Sequence, residues 1–322
     1  MKKILITGCA GFIGFHLTKN FLKKNFQIIG IDSLNNYYSK DLKIKRLNIL
    51  KRFKKFNFKK VDINNFEKVY SFLKNKKIDQ IFHLAAQPGV RVSYAKPFNT
   101  LKQNISTFSN ILEIARIKNV NKFVYASSSS VYGDTKVYPF TENDKGNKPI
   151  SVYGSTKLSN EILANSYAKN FNIDSIGLRF FTVYGPYGRP DMAYYSFLNN
   201  LEKNTPIVVF NRGIMKRDFT YIDDVIQAIV NVGKMKVKNY HVILNIGKGN
   251  PDNLMNLINL LQKYYGKKFK INFHNKIPKG DIKKTYSNIS RAKKLIKFKP
   301  KVNLEEGVKK FVDWYKNFYE IK

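Results

Sequence analysis

Two short stretches carry side chains whose spacing can do chemistry: Ser127-Ser128-Ser129-Ser130-Val131-Tyr132-Gly133 and Ser151-Val152-Tyr153-Gly154-Ser155-Thr156-Lys157. Tyr153 and Lys157 stand one helical turn apart, so on a helix they share a face. A phenol ionises near pH 10 when unperturbed, too high for a base at neutral pH. An ammonium beside it stabilises the phenolate, lowers that value and makes tyrosine a usable proton acceptor. A serine hydroxyl at a neighbouring strand end can pass the proton on or hold a substrate hydroxyl. A tyrosine and lysine at this spacing are often no more than a surface pair. What precedes them gives them weight.

The chain opens Lys2-Lys3-Ile4-Leu5-Ile6-Thr7-Gly8-Cys9-Ala10-Gly11-Phe12-Ile13-Gly14. Ile4-Leu5-Ile6 reads as a strand buried on both faces, and the apolar positions of residues 15–22 recur at helical period. Between them lie Gly8, Gly11 and Gly14. Such a turn lets backbone N–H groups, including those of Phe12 and Ile13, approach a pyrophosphate at a helix N-terminus. A second strand over 27–31 ends in Asp32, where a carboxylate can accept hydrogen bonds from an adenosine ribose and would repel a 2′-phosphate. The cofactor expected is therefore NAD rather than NADP.

Around this turn, strand and helix signals alternate, which predicts a doubly wound parallel α/β sheet of the Rossmann type. A polar, aromatic loop covers 33–39, and residues 59–61 read as a third strand ending at Asp62 with Ile63 after it. A helix follows over 67–75, then a fourth strand over 78–84 running from Leu84 into Ala85-Ala86-Gln87. Small residues there leave room for a flat cofactor. Residues 88–97 read as a loop carrying Arg91, 104–118 as a helix and 122–126 as the strand that enters the serine run. Past position 180 glycine and proline punctuate the chain more often, which suits a smaller α/β substrate lobe. The expected division is a cofactor domain over 1–178, with a return segment near 218–246, and a lobe made mainly of 179–322.

Composition narrows the function classes. The 322 residues carry a formal charge of +36, which invites a nucleic-acid or other polyanion reading. Lysine is instead spread over nearly every segment, and the densest part, the helix-like stretch 43–60, reads as a solvated face; no nucleic-acid partner is expected. No apolar run is long enough to span a membrane and no cleavable leader is recognisable. With Cys9 the single cysteine, no disulfide can form within the chain and a cytoplasmic location is expected. No metal cluster is expected either: Asp223 and Asp224 read as the acidic first turn of a helix.

These motifs together resemble the extended short-chain dehydrogenase/reductase superfamily in its NAD-dependent nucleotide-sugar epimerase/dehydratase branch: the glycine turn, Asp32, His83-Leu84-Ala85-Ala86-Gln87, the serines before Val131-Tyr132-Gly133, and Tyr153 with Lys157. The likeness continues through Gly280-Asp281 to Trp314-Tyr315. It implies Tyr153 as the base, Lys157 as the residue orienting the nicotinamide ribose and Ser128 as the partner of the tyrosine. It implies further cofactor contacts from Gly8, Gly11, Phe12, Ile13, Gly14, Asp32, Asp62, Ile63, Leu84, Ala85 and Ala86. Members often pair through helices like those over 104–118 and 156–170, which implies a homodimer.

Within that branch, dehydratases and decarboxylases usually carry an acidic residue just before the Val-Tyr-Gly, where this chain has Ser129 and Ser130. Losing water across C5 and C6 needs that extra acid and base. C4 epimerisation needs only the tyrosine and NAD: hydride leaves C4, the 4-keto sugar turns over, and hydride returns to the opposite face. Residues 179–192, Arg-Phe-Phe-Thr-Val-Tyr-Gly-Pro-Tyr-Gly-Arg-Pro-Asp-Met, read as a strand and a stiff loop presenting Thr182 and Arg189, a hydroxyl and a guanidinium suited to a carboxylate. The segment resembles UDP-glucuronate 4-epimerases, as do Gly89-Val90-Arg91 and the run through Arg217. The resemblance implies that Thr182 and Arg189 hold the sugar carboxylate and that Arg217 meets the diphosphate, with Arg91, Ser128, Ser129, Ser130 and Asp281 also facing the substrate. A 4-keto uronate is a β-keto acid, and a clamp that keeps its carboxylate bond near the carbonyl plane suppresses loss of CO2. The reading is an isomerase for a polysaccharide precursor. Two sites depart from the pattern: Ser287-Asn288 stands where Ala-Asp is usual, and Pro88 where a small residue is commoner. Both leave room for a modified uronate or a neutral hexose, and another UDP-sugar epimerase or a dehydratase remains the alternative.

Overall fold

A computed structural model describes residues 2–144, 148–237 and 240–321. Strands β1 (Lys3–Thr7), β2 (Gln27–Asp32), β3 (Phe56–Lys60), β4 (Gln80–His83), β5 (Lys122–Ser128) and β6 (Asp174–Phe180) join the late strand His241–Ile246 in one seven-stranded sheet. Its order is His241–Ile246, β6, β5, β4, β1, β2, β3, and every pairing is parallel. The chain reverses its direction of growth between β1 and β4. In an open parallel sheet the crevice beyond the strand C-termini at such a point is where ligands bind. Ile4, Leu5 and Ile6 are 0–1% exposed, as a strand covered by helices on both faces requires.

Helices α1 (Phe12–Lys23) and α2 (Lys40–Lys51) cover one part of the sheet. The smaller units beyond β6 are the two-stranded pieces Thr182–Tyr184 with Phe219–Tyr221, Lys216–Arg217 with Asp252–Asn253, and Ile207–Phe210 with Ile271–His274. One apolar cluster runs without a break from Ile4 and Phe15 to Phe311 and Tyr315 on the last helix, Leu304–Tyr319. Tyr187 joins them, its ring 4.9 Å from both Phe15 and Trp314. Among the described residues no helix is long and apolar enough to cross a membrane.

Four local expectations are corrected. The third strand is Phe56–Lys60, not 59–61: Phe56 and Phe58 alternate toward the core, and Gly30 on β2 leaves the space that the Phe56 ring fills. The helix-like stretch 43–60 is helical only to Lys51, and it is not simply a solvated face, because Lys43 and Arg46 are buried at 6% and 0% exposure. The loop 88–97 contains a short helix, Val90–Ala95, begun at Gly89 with φ of 108°. The helix expected over 104–118 starts earlier, at Pro97, and passes through a wide π turn at Lys102–Ser106 before Thr107–Ile117. There Asn104 ties the strand end to the next helix, accepting from the Gln87 amide at 2.7 Å and donating to Thr156 Oγ1 at 3.0 Å.

Candidate active site

A cavity of about 760 Å3 opens at the C-terminal edges of β1, β4 and β5. Every residue named above as a cofactor or substrate contact lines it. The glycine turn forms its floor. Gly8 has φ of 69°, and a side chain there would meet the Ala85 amide nitrogen at 2.8 Å. A Cβ on Gly14 would lie 2.0 Å from the Gly8 carbonyl oxygen, so β1, the turn and α1 can approach this closely only without side chains. The α1 N-terminus has no side-chain cap and no acidic residue in its first turn. Its free N–H groups and partial positive charge suit a diphosphate. Asp32 accepts from the Ala10 and Leu34 amides at 3.0 and 2.8 Å, one bond per carboxylate oxygen. Each oxygen retains a lone pair for a ribose hydroxyl. The residues present therefore fit a dinucleotide.

The helix Val152–Phe171 carries both Tyr153 and Lys157, and it is capped by the Ser151 hydroxyl, which accepts from the Gly154 amide at 3.0 Å. Lys157 Nζ donates to the Ala126 carbonyl of β5 at 2.9 Å and lies 5.9 Å from the centre of the Tyr153 ring. Burial pulls the Lys157 pKa down to about 8, opposed in part by Glu161 one turn further along. The Tyr153 phenol stands above its ordinary value, because burial disfavours the phenolate more than its neighbours favour it. Those neighbours are first the Arg189 guanidinium and then the hydrogen bond with Ser128. Lys157 gives its donor to a carbonyl, and Arg189 is the neighbouring charge that most favours the phenolate. Ser128 Oγ also lies 3.2 Å from Ser130 Oγ and accepts from the Ser130 amide at 3.1 Å.

Behind this surface Glu161 and Arg179 form a buried fork, Nε–Oε1 2.9 Å and Nη2–Oε2 2.7 Å, and Ser127 donates to Glu161 Oε1 at 2.5 Å. Sequence reasoning missed this pair, because its partners come from a helix and a strand with no shared periodicity.

On the opposite wall Thr182 begins the strand Thr182–Tyr184, and Arg189 follows from the loop after it. Arg189 is forked onto Asp191, Nε–Oδ1 3.1 Å and Nη2–Oδ2 2.5 Å, and Tyr37 donates to the same carboxylate at 3.0 Å. Burial works against the guanidinium charge, but Asp191 outweighs it and holds Arg189 protonated. Tyr37 and Asp191 were missed in the sequence, although the Arg-Pro-Asp spacing could have suggested the ion pair. Farther along, Arg217 Nη2 pairs with Asp281 Oδ1 at 2.6 Å, and Arg91 Nη2 stands 3.7 Å from Asp281 Oδ2.

The two departures have structural explanations. Ser287 donates from Oγ to buried Asp218 at 2.6 Å, and Asn288 accepts from the Ser290 amide at 2.9 Å in a local turn just before the helix Ser290–Ile296; neither lines the cavity. Pro88 does line it. Asp224 accepts from the Lys301 and Val302 amides at 3.0 Å each, a fastening between elements at a helix start. Among the described residues no cluster of His, Cys, Asp and Glu could hold a metal ion.

Comparison with known proteins gives the same picture. The family model described as NAD dependent epimerase/dehydratase matches residues 4–247. An uncharacterised protein of Methanocaldococcus jannaschii is 49% identical over 98% of this chain and 96% of its own length. The UDP-glucuronate 4-epimerase of Thermodesulfobacterium geofontis is 39% identical over 100% of this chain and 98% of its own. The crystal structure of UDP-glucuronic acid 4-epimerase from Bacillus cereus in complex with UDP-glucuronic acid and NAD superposes with a TM-score of 0.90, at 37% identity, over 98% of this chain and 100% of that one.

Proposed function

The chain belongs to the NAD-dependent epimerase/dehydratase family, and on that premise we propose that it interconverts UDP-glucuronate and UDP-galacturonate through a transient 4-keto sugar. The reaction class is NAD-dependent UDP-sugar 4-epimerisation, and the enzyme is an isomerase. The observation that carries the uronate reading is Arg189: its guanidinium lines, with Thr182, the same cavity as Tyr153.

When bound, NAD supplies the oxidant for C4 and returns the same reducing equivalents, so none is consumed. Gly8, Gly11 and the amides of Phe12, Ile13 and Gly14 would take its diphosphate, Asp32 its adenosine ribose, and Asp62, Ile63, Leu84, Ala85 and Ala86 its flanks. Tyr153 takes the proton from the C4 hydroxyl and gives it back. Ser128 holds the phenol and the sugar hydroxyl, with Ser129 and Ser130 beside it. Lys157, fixed by the Ala126 carbonyl, orients the nicotinamide ribose. Ser129 and Ser130 supply no carboxyl group, so elimination across C5 and C6 lacks its acid. Thr182 and Arg189 clamp the sugar carboxylate, while Arg91 and Arg217, both steadied by Asp281, meet the diphosphate.

A second reading, a neutral hexose in place of the uronate, draws on one observation: Asp191 already forks the Arg189 guanidinium. A bound carboxylate must share Arg189 with Asp191 through the remaining N–H groups or displace it.

In this reading residues 1–178 with the return 218–246 serve the cofactor and the rest of 179–322 the sugar nucleotide. The enzyme acts in the cytoplasm on a polysaccharide precursor, in keeping with the free, buried Cys9. It pairs as a homodimer through its exposed apolar side chains on two helices, Phe98 at 78% and Leu101 at 44% on one and Ile162 at 64% on the other. A monomer by sedimentation would remove the last statement.

The test of the reaction is to incubate purified protein, without added NAD, with a panel of UDP-hexoses and UDP-uronates and to resolve the C4 epimers by chromatography. UDP-galacturonate is expected from UDP-glucuronate, and Tyr153→Phe is expected to keep its cofactor and lose turnover. Full turnover in that variant would end the assignment of the base.

A further inference from the structure

Three consecutive backbone carbonyls lead into Arg189, and side chains from the first two helices hold all three. His16 on α1 donates from Nε2 to the Pro186 carbonyl at 2.9 Å. Arg46 on α2 donates from Nη2 to the carbonyls of Tyr187 at 2.7 Å and Gly188 at 2.9 Å. Its other terminal nitrogen, Nη1, donates to the Ala10 carbonyl in the glycine turn at 2.9 Å and to the Tyr38 hydroxyl at 2.6 Å.

Arg46 is 0% exposed; among the described residues its hydrogen-bond partners are three carbonyls and a phenol, and its Nε has none. Removing a guanidinium from water without a carboxylate to oppose its charge is costly, and an apolar side chain of similar volume generally stabilises such a site at least as well. What an apolar side chain cannot do is bridge several carbonyls at once, a task that suits the planar fork of arginine. The loop needs outside support, since Gly185 has φ of 139° and Tyr187 φ of 55°, the latter a conformation that side-chain-bearing residues disfavour.

We propose that Arg46, with His16 as a second peg, is a positioning residue that registers the Arg189 loop against the dinucleotide turn, so that the sugar clamp keeps a fixed place relative to the cofactor. The inference rests on the reading of Arg189 as the carboxylate clamp. It adds a residue outside the cavity that acts through three carbonyls.

The experiment compares wild-type holoenzyme with Arg46→Met and, should that variant fail to fold, with Arg46→Lys, which keeps the charge but not the fork. Two readouts are taken. Hydrogen exchange over residues 185–192 is expected to accelerate at least tenfold, with the rest of the chain unchanged. Equilibrium binding is expected to weaken about tenfold or more for UDP-glucuronate and less than twofold for UDP, with the bound NAD content unchanged, because a shift of about 1 Å in a positioning group can cost up to a hundredfold. Unchanged exchange overturns the inference, and so does an equal loss for UDP and UDP-glucuronate, which marks a general folding role. The two readings fail separately: if wild-type protein binds UDP-glucuronate no better than UDP, the clamp assignment falls, while the exchange measurement still decides whether Arg46 holds the loop.

Discussion

Replacing Lys157 by methionine should make the protein more stable below pH 8 relative to its behaviour above it, while abolishing turnover. The ammonium is 3% exposed, and burial lowers its pKa from 10.5 to about 8. At about 1.4 kcal/mol per pKa unit that drop corresponds to roughly 3 kcal/mol of destabilisation whenever the folded protein must carry the proton. The sign follows from proton binding. Between about 8 and 10.5 the unfolded chain holds a proton on this lysine that the folded chain has released, so stability rises with pH across that window. Below it the full cost is present, and above it the cost is gone. Methionine has no such proton, so the wild-type minus variant difference in unfolding free energy should climb by roughly 3 kcal/mol from pH 7 to pH 10.5. The other lysines titrate in both proteins and cancel. A pH-independent loss of about 1–3 kcal/mol from the unpartnered Ala126 carbonyl moves the whole difference curve without changing its shape. Urea unfolding of both proteins at half-unit pH steps provides the measurement. A difference that is flat with pH would mean that Lys157 is not desolvated as its surroundings dictate, and the account of its role would have to be abandoned.

Two further outcomes follow from the geometry. Arg189→Ala should lower kcat/KM for both UDP-glucuronate and UDP-glucose, because the Tyr153 phenolate loses its nearest favourable charge, but the loss for UDP-glucuronate should be larger by about two orders of magnitude, a cost in keeping with roughly 3 kcal/mol for a charged hydrogen-bond partner; equal losses would favour the neutral-hexose reading. Gly14→Ala should leave the purified protein without NAD, since its Cβ would lie 2.0 Å from the Gly8 carbonyl; cofactor bound at full stoichiometry by absorbance would show that the turn does not hold the diphosphate.

The sheet and its crevice were readable because they follow from short-range signals. An apolar triplet, a glycine turn and a helical period specify β1 and α1 wherever they occur, and Tyr153 with Lys157 needs only one turn of helix. What escaped depends on distant packing. The third strand was misplaced because the space beside Gly30 that receives Phe56 belongs to another strand and leaves no mark on residues 56–61 themselves. Arg46 looked like one more surface cation among many, since its acceptors at Ala10, Tyr187 and Gly188 are far away in sequence. The part Arg189 plays beside Tyr153 was equally hidden, because spacing shows which groups are near in sequence and not which loop folds back onto them. Ser287 and Asn288, which looked like departures bearing on the sugar, turned out to serve Asp218 and a local turn before a helix.

The apolar cluster that joins Phe15 through Tyr187 to Trp314 bears on how the molecule is made. A ribosome delivers α1 long before the helix Leu304–Tyr319, so Tyr187 and the side of the helix Leu254–Tyr265 that it covers stay open to water until it emerges. Chains stalled or cut before that helix emerges would expose aromatic rings from both halves at once, and quality-control proteases would meet them as sticky intermediates rather than as a finished cofactor domain.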